Sequence, residues 1–396
     1  MPFTFNKNDR NFSEITFPFM RKTVIPVTRY LFSPAVTNLQ NMPKTGPCFI
    51  YGNHSNYFDP FFINLEMTEE PTAGVMTRDQ FHKTVPRIFM DSIGIVPTSK
   101  YVPEPGIVRN VIRMIENNRM IVIFPEGGRR WDGKTKPMIE TTLKLFWKMG
   151  IPVHPVQIHG SYLSWPRWAD NLRKSSIEIR WLKPMHPSDY EDYETFSRTC
   201  RENIEFDEYT PPESVKIHSC SKPAAGIDRF LYRCPQSGVS GSVFSPDGRS
   251  VYSRTATFSF KMDQESRLID SNGEPHSIIK MYDRIGQMPI EMDRDSIILN
   301  DMGCQIYKID DRHNLIYLGR GYIELLPDYL MISNGADRDK IKLKDLLYLS
   351  VEQNHKITIT TAGRIYQVEF SQTSALQWKN YILRLKDGER SFRSKI

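Results

Sequence analysis

An imidazole and a carboxylate stand five positions apart in Tyr51-Gly52-Asn53-His54-Ser55-Asn56-Tyr57-Phe58-Asp59-Pro60. Side chains on one face of a regular helix lie three or four apart, so this interval does not suit a helix face. A turn that folds back lets Asp59 reach one ring nitrogen of His54. The other nitrogen is then left to take a proton, the arrangement of a base held by an orienting group. The plainer alternative is a capping Asp59 beside an unrelated, hydrogen-bonded His54. A second group lies downstream in Ile121-Val122-Ile123-Phe124-Pro125-Glu126-Gly127-Gly128-Arg129-Arg130, where an apolar stretch runs into a glycine turn with one carboxylate and two guanidinium groups. Ligands of open α/β sheets bind at strand ends of this kind.

The elements around both groups follow from apolar periodicity. Residues 48–51 read as a buried strand ending at Gly52. Asp59 then reads as an N-cap with Pro60 at the first helical position, so His54 falls on a strand-to-helix turn. Helical spacing marks 60–67, part of 81–90, and 102–118, where Ile107, Val111, Met114 and Ile115 recur on one side. A strand is expected at 121–124, a helix at 141–149 ended by Gly150, strands at 151–158 and 177–181, and a helix within 189–206. Strands alternating with helices predict an α/β domain with a mainly parallel central sheet flanked by helices.

Asn-His-x-x-x-x-Asp followed by Phe-Pro-Glu-Gly-x-Arg resembles the signature pair of the glycerolipid acyltransferases, the lysophosphatidic acid acyltransferase group. Residues 94–100, ending in Lys100, lie where that family has an apolar strand ending in Arg. Residues 151–156 resemble its late Val-Pro-Val-x-Pro strand. The resemblance covers about residues 20–210. It implies acyl transfer from a thioester to a hydroxyl, with His54 as general base and Asp59 fixing its tautomer. Backbone N–H groups at Gly127 and Gly128 become candidate oxyanion donors, and Arg129 a phosphate ligand. Glu126 would meet an acceptor hydroxyl or set Arg129, and Lys100 would add a second cation. The family's usual Thr is Gly128 here, Arg130 stands where Ser is common, and Lys100 keeps charge but not the planar fork of Arg. These departures put a simple glycerol phosphate headgroup in doubt. No cofactor is implied beyond acyl-CoA or acyl carrier protein as co-substrate, and no metal.

Across 396 residues the formal net charge is +6, which favours anionic partners such as acidic lipids and phosphate headgroups. No nucleic-acid motif accompanies that charge. Five scattered cysteines suit reduced thiols better than a disulfide framework. There is no signal-peptide pattern and no apolar run long enough to span a bilayer. The expectation is a cytoplasmic protein, peripheral on a membrane's cytoplasmic face. Residues 20–32 mix bulky apolar groups with three cations, fitting either a membrane contact or a helix packed on the core. Trp165 and Trp168 with Arg167, Arg173 and Lys174 fit an interface, a lid or simple packing.

The domain reading is an acyltransferase domain at 1–210, a linker at 211–228, a ribbon-like segment at 229–270 and a β domain at 280–396. Residues 230–238 resemble a zinc-ribbon knuckle with Ser237 in place of its second Cys, and the return stretch 252–256 has no thiol. One thiol and hydroxyls cannot make a structural zinc site. From about 280 short strands recur at 296–299, 305–309, 315–318, 322–326, 329–332, 347–351, 357–361 and 365–370. A closing helix at 374–385 places Trp378, Ile382 and Leu385 on one face. An antiparallel barrel closed by such a helix resembles a pleckstrin-homology or GRAM-type module. Two other functions share these residues: an inactive lipid-binding scaffold, and a thioester hydrolase using the same His54–Asp59 pair on water.

Overall fold

Cys48–Gly52 is a strand buried along its whole length, and its alternating side chains feed two separate cores. Cys48 and Ile50 join Ile25, Phe32, Phe62 and Ile63 on one face of a sheet. Phe49 and Tyr51 join Val111, Met114, Leu143, Phe146 and Phe196 on the other. Period-two alternation of a strand apolar at every position demands helices on both faces. A computed structural model of the chain describes residues 5–77, 84–98, 105–292, 296–310, 314–335, 337–352, 355–388 and 391–392. Two compact units result, Met1–Arg167 with Leu172–Cys220, and Trp168–Asn171 with Ser221–Ile396.

The first unit runs α1 (Thr16–Phe32), β1 (Ala35–Thr37), β2 (Cys48–Gly52), α2 (Asp59–Ile63), β3 (Ala73–Thr77), α3 (Thr84–Ser92), β4 (Ile95–Thr98), α4 (Pro105–Glu116) and β5 (Met120–Val122). It continues with α5 (Glu140–Met149), β6 (Val153–His159), α6 (Ser161–Ser164), β7 (Lys174–Ser176), β8 (Glu178–Trp181), α7 (Tyr193–Glu202) and β9 (Lys216–Ser219). The main sheet has the order β1-β8-β6-β2-β5-β3-β4. Strands β6, β2, β5, β3 and β4 are parallel, β8 runs against β6, and β1 pairs parallel with β8. The α/β expectation and its mainly parallel sheet therefore describe this unit.

Several boundaries differ from the sequence reading for identifiable reasons. Asp59 is the first residue of α2, and Phe58 occupies the cap position. Helix α1 continues through Pro26, which is exposed, so water can satisfy the carbonyl that proline leaves without a donor. Residues 211–228 are not a bare linker, since β9 pairs antiparallel with β7 and the buried Ala224 and Ile227 pack inside the second unit. His82 and Lys100 lie outside the described residues.

The second unit holds a five-stranded antiparallel sheet from Val243–Phe244 to Pro275–Ser277, then a helix at Ile278–Gln287. In the knuckle-like turn before it, Gly238 N–H donates to the Cys234 carbonyl at 2.8 Å. Ser237 Oγ lies 2.7 Å from Thr255 Oγ1, and Ser253 Oγ lies 3.3 Å from that same atom. Hydroxyls thus meet beside the buried Cys234 thiol. A seven-stranded antiparallel sheet follows in the spatial order Arg338–Lys342, Tyr329–Ser333, Leu315–Leu325, Leu299–Ile309, Ile365–Glu369, Lys356–Thr360, Tyr348–Glu352. The strands expected at 315–318 and 322–326 are one strand. Gly319 and Gly321 break its apolar pattern but not its pairing, and a Cβ on Gly321 would lie 1.8 Å from the Ser333 carbonyl oxygen. The helix Ala375–Lys386 buries Trp378, Ile382 and Leu385 as expected, and Ser374 caps it by accepting the Gln377 N–H.

Candidate functional site

The turn after β2 is tied down before it reaches His54. Asn53 continues the strand pairing with its side chain: Oδ1 accepts the Ile158 N–H at 2.8 Å and Nδ2 donates to the Ile158 carbonyl at 3.1 Å. Asn56 donates to the Ser161 carbonyl at 2.9 Å and accepts the Phe58 N–H at 2.6 Å. Between these two anchors the chain folds back, and His54 Nδ1 sits 2.8 Å from Asp59 Oδ2.

Asp59 is fully buried and its carboxylate is saturated. Oδ2 also accepts the Ser55 N–H at 2.6 Å and the Asn56 N–H at 3.0 Å, while Oδ1 accepts the Ser161 hydroxyl. Burying a carboxylate is costly unless donors of this kind surround it. These three donors fix its orientation toward the ring. On its other side His54 stacks on Phe124, with ring centroids 4.3 Å apart and 17° between planes. The ring retains 20% side-chain exposure, enough for contact with a substrate.

The second loop meets the first through the backbone, where Arg130 N–H donates to the His54 carbonyl at 2.9 Å. Glu126 is buried and bound by Arg130: Nε lies 3.0 Å from each carboxylate oxygen, and Nη2 lies 2.6 Å from Oε1. Burial pushes the Glu126 carboxyl above its ordinary value, and Arg130 works against that rise. Arg129, half-buried, lays its guanidinium 3.6 Å from the centroid of the Tyr57 ring, and Arg167 donates to the Arg129 carbonyl at 2.9 Å. Gly127 takes a positive φ of 66°, and its N–H donates to the Phe124 carbonyl at 3.1 Å. That leaves Gly128, whose N–H has no partner among the described residues. Lys136 donates to the Gly128 carbonyl at 3.1 Å. Burial, with the Arg167 charge, brings its amine down to about 8.

Residues 33–159 match the family described as Acyltransferase. A 1-acyl-sn-glycerol-3-phosphate acyltransferase of Limnanthes alba is 24% identical over 156 residues, 38% of this chain and 55% of that protein. The chloroplastic enzyme BAT2 of Brassica napus, with the same activity in its name, is 22% identical over 175 residues, 43% of this chain and 50% of that protein. The chain thus spans about half the length of these curated relatives. The crystal structure of the acyltransferase PlsC from Thermotoga maritima aligns with 48% of this chain and 82% of its own, at 20% identity and a TM-score of 0.38.

The structure brings His54 and Asp59 together and sets Glu126, Gly127, Gly128 and Arg129 on the adjoining loop. It departs from the sequence reading at two of them. Glu126 holds Arg130 rather than Arg129, and Gly127 spends its N–H within its own turn. Two residues had no signal in the sequence, and a third, Phe124, lies in the second motif without any reading of its stacking on the ring. Ser161 earns its place only through its hydrogen bond to Asp59. Glu208 is buried, accepts from Ser55 Oγ at 2.7 Å, Asn53 Nδ2 at 3.2 Å and Arg130 Nη1 at 3.3 Å, and belongs to neither motif. Burial pushes its carboxyl up to about 7, against the pull of Arg130 and Ser55. Trp168 is fully buried, which is the packing alternative for that residue. Trp165 edges the Tyr57 and Phe58 rings.

Proposed function

We propose that this chain transfers a fatty acyl group from acyl-CoA or acyl carrier protein to a hydroxyl of a lysophospholipid or related phosphate-bearing acceptor. The observation that carries this reading is the 2.8 Å contact between His54 Nδ1 and a buried, four-fold bonded Asp59. With Nδ1 engaged, Nε2 is the atom that takes the acceptor's hydroxyl proton as its oxygen attacks the thioester carbonyl. Asp59 balances the imidazolium that forms. The carbonyl oxygen gains the electron pair, and the Gly128 N–H is the donor best placed by connectivity to meet it. Collapse breaks the carbon–sulfur bond, and the departing sulfur takes from His54 the proton that came from the acceptor hydroxyl. Arg129 binds the acceptor phosphate through its planar fork. The relatives' names make 1-acyl-sn-glycerol 3-phosphate the first acceptor to try.

Among the described residues no helix is long and apolar enough to cross a membrane, and we propose that the lipid acceptor is met at a membrane surface. Helix α1 supplies a contact of the right chemistry. Phe19, Val27 and Tyr30 are exposed on one side with Lys22 beside them. We further propose that the seven-stranded antiparallel sheet with its closing helix acts as a pleckstrin-homology-like module with a second lipid-contacting role on the cytoplasmic face.

Labelled acyl-CoA and acyl carrier protein, each with a panel of lysophospholipids, test the reaction. Labelled phospholipid is the expected product, and His54→Ala abolishes it. Free fatty acid released without an acceptor would indicate a hydrolase. Lipid bound without turnover, unaffected by that substitution, would indicate a scaffold.

A further inference from the structure

We propose that Glu208 is a positioning residue for acyl transfer, acting through Ser55 and Arg130 on the turn that carries His54. The proposal rests on the acyltransferase reading above. Glu208 lies beyond α7, 153 positions from Ser55 and 78 from Arg130. Its Oε1 alone gathers three donors: the Ser55 hydroxyl at 2.7 Å, the Asn53 amide at 3.2 Å and the Arg130 guanidinium at 3.3 Å. Asn53 and Ser55 are the residues on either side of His54. Arg130 holds the residue between them, because its backbone N–H donates to the His54 carbonyl at 2.9 Å. Three consecutive positions of the turn therefore hang on one buried pair.

Burying a carboxylate is costly unless it is well bonded, and an apolar filling of the same space is often at least as stable. Oε2 of Glu208 is buried and has no hydrogen-bond partner among the described residues, so this site is not arranged for greatest stability. What the arrangement does secure is geometry. Arg130 stands where the resembling family commonly has Ser, and it brings a charge into the interior beneath the turn. Glu126 answers that charge bidentately, and Glu208 answers it from the segment beyond α7. The same pair keeps Glu126 occupied and away from the acceptor. A displacement of about 1 Å at a reacting group can cost about 10²-fold in rate. Loosening the ties on both sides of His54 acts on that quantity, whereas the phosphate contact at Arg129 is left in place.

The test compares Glu208→Ala, Glu208→Gln, Ser55→Ala and the Ser55→Ala/Glu208→Ala double variant of the full chain, with acyl-CoA and 1-acyl-sn-glycerol 3-phosphate. Glu208→Ala is expected to lower kcat by about 10- to 100-fold while KM for the acceptor moves less than about threefold. Glu208→Gln presents an amide oxygen to the same three donors and is expected to recover most of that loss. The double variant is expected to be no slower than Glu208→Ala, because both substitutions cut one path. Ser55→Ala alone leaves the Glu208–Arg130 pair intact and guards against a Glu208→Ala protein that does not fold. It too is expected to lose kcat at unchanged KM. An unchanged kcat in Ser55→Ala, a Glu208→Gln variant as slow as Glu208→Ala, or losses that multiply in the double variant would overturn the proposal. A parent protein that transfers no acyl group to any acceptor would instead overturn the reading on which it rests.

Discussion

Replacing Asp59 by asparagine separates the charge of the orienting group from its geometry. The Oδ2 position receives the His54 ring at 2.8 Å and two backbone N–H groups at 2.6 and 3.0 Å, and the two backbone groups can only donate. The Oδ1 position receives only the Ser161 hydroxyl, which can rotate and accept instead. In the Asp59→Asn variant the amide nitrogen will therefore settle at the Oδ1 position. The ring keeps its hydrogen bond and its tautomer, and the variant loses the negative charge alone. In triads where the amide faces the ring, the tautomer is lost as well and rates fall by about 10⁴. Two unit charges about 4 Å apart at an effective dielectric of about 20 interact by about 4 kcal/mol, which caps the loss here near about 10³. The ring's partial exposure screens some of that, so kcat is expected to fall by about 10² to 10³ with little change in KM. The assay is steady-state transfer from acyl-CoA to a lysophospholipid in mixed micelles, with circular dichroism and Tm confirming the fold. A loss under about fivefold would mean that Asp59 does not balance charge on His54. A loss beyond about 10⁴ in a folded variant would mean that the amide had turned toward the ring.

Three further outcomes follow from the same geometry. Arg129→Ala should raise KM for a phosphate-bearing acceptor by about 10- to 100-fold, with Arg129→Lys recovering only part, and an acceptor without phosphate should respond to neither. The raised Glu208 carboxyl makes the folded state hold a proton more tightly than the unfolded chain. Its contribution to stability is complete at low pH and is lost as pH rises to about 7. The fall in Tm between about pH 5 and 7.5 should accordingly be steeper in the parent than in Glu208→Gln, and equal slopes would contradict the assignment. On helix α1, Phe19→Asp with Val27→Asp removes two exposed apolar side chains, each worth about 1.5–3 kcal/mol when buried. Sedimentation with anionic vesicles should fall at least about tenfold while acyl transfer to a micellar acceptor persists, and undiminished sedimentation would exclude this face as the contact.

Which parts of this protein could be read from its chain depends on how far apart the interacting groups are. His54 and Asp59 are separated by only a short turn, so their types and spacing made their meeting one of two readings that the sequence offered. The β2 strand announces itself because every position from Cys48 to Tyr51 is apolar, and a strand buried on both faces requires the helices that the downstream periodicity supplies. Even the long strand Leu315–Leu325 was half legible, missed only because glycines interrupt its apolar pattern without breaking its pairing. The partner of Glu126 was not legible. Arg129 and Arg130 are adjacent and chemically alike, and only the packing decides which guanidinium turns inward to meet it. Ser161 reaches Asp59 across 102 positions and Glu208 reaches Ser55 across 153, separations at which no local rule relates one residue to another. Sequence alone put an acid within reach of a base, because chain connectivity holds them a short turn apart, and the contact itself chose between pairing and capping. The tertiary structure decided what holds that pair in place, because a buried charge takes whichever partner the closed interior brings within hydrogen-bond reach.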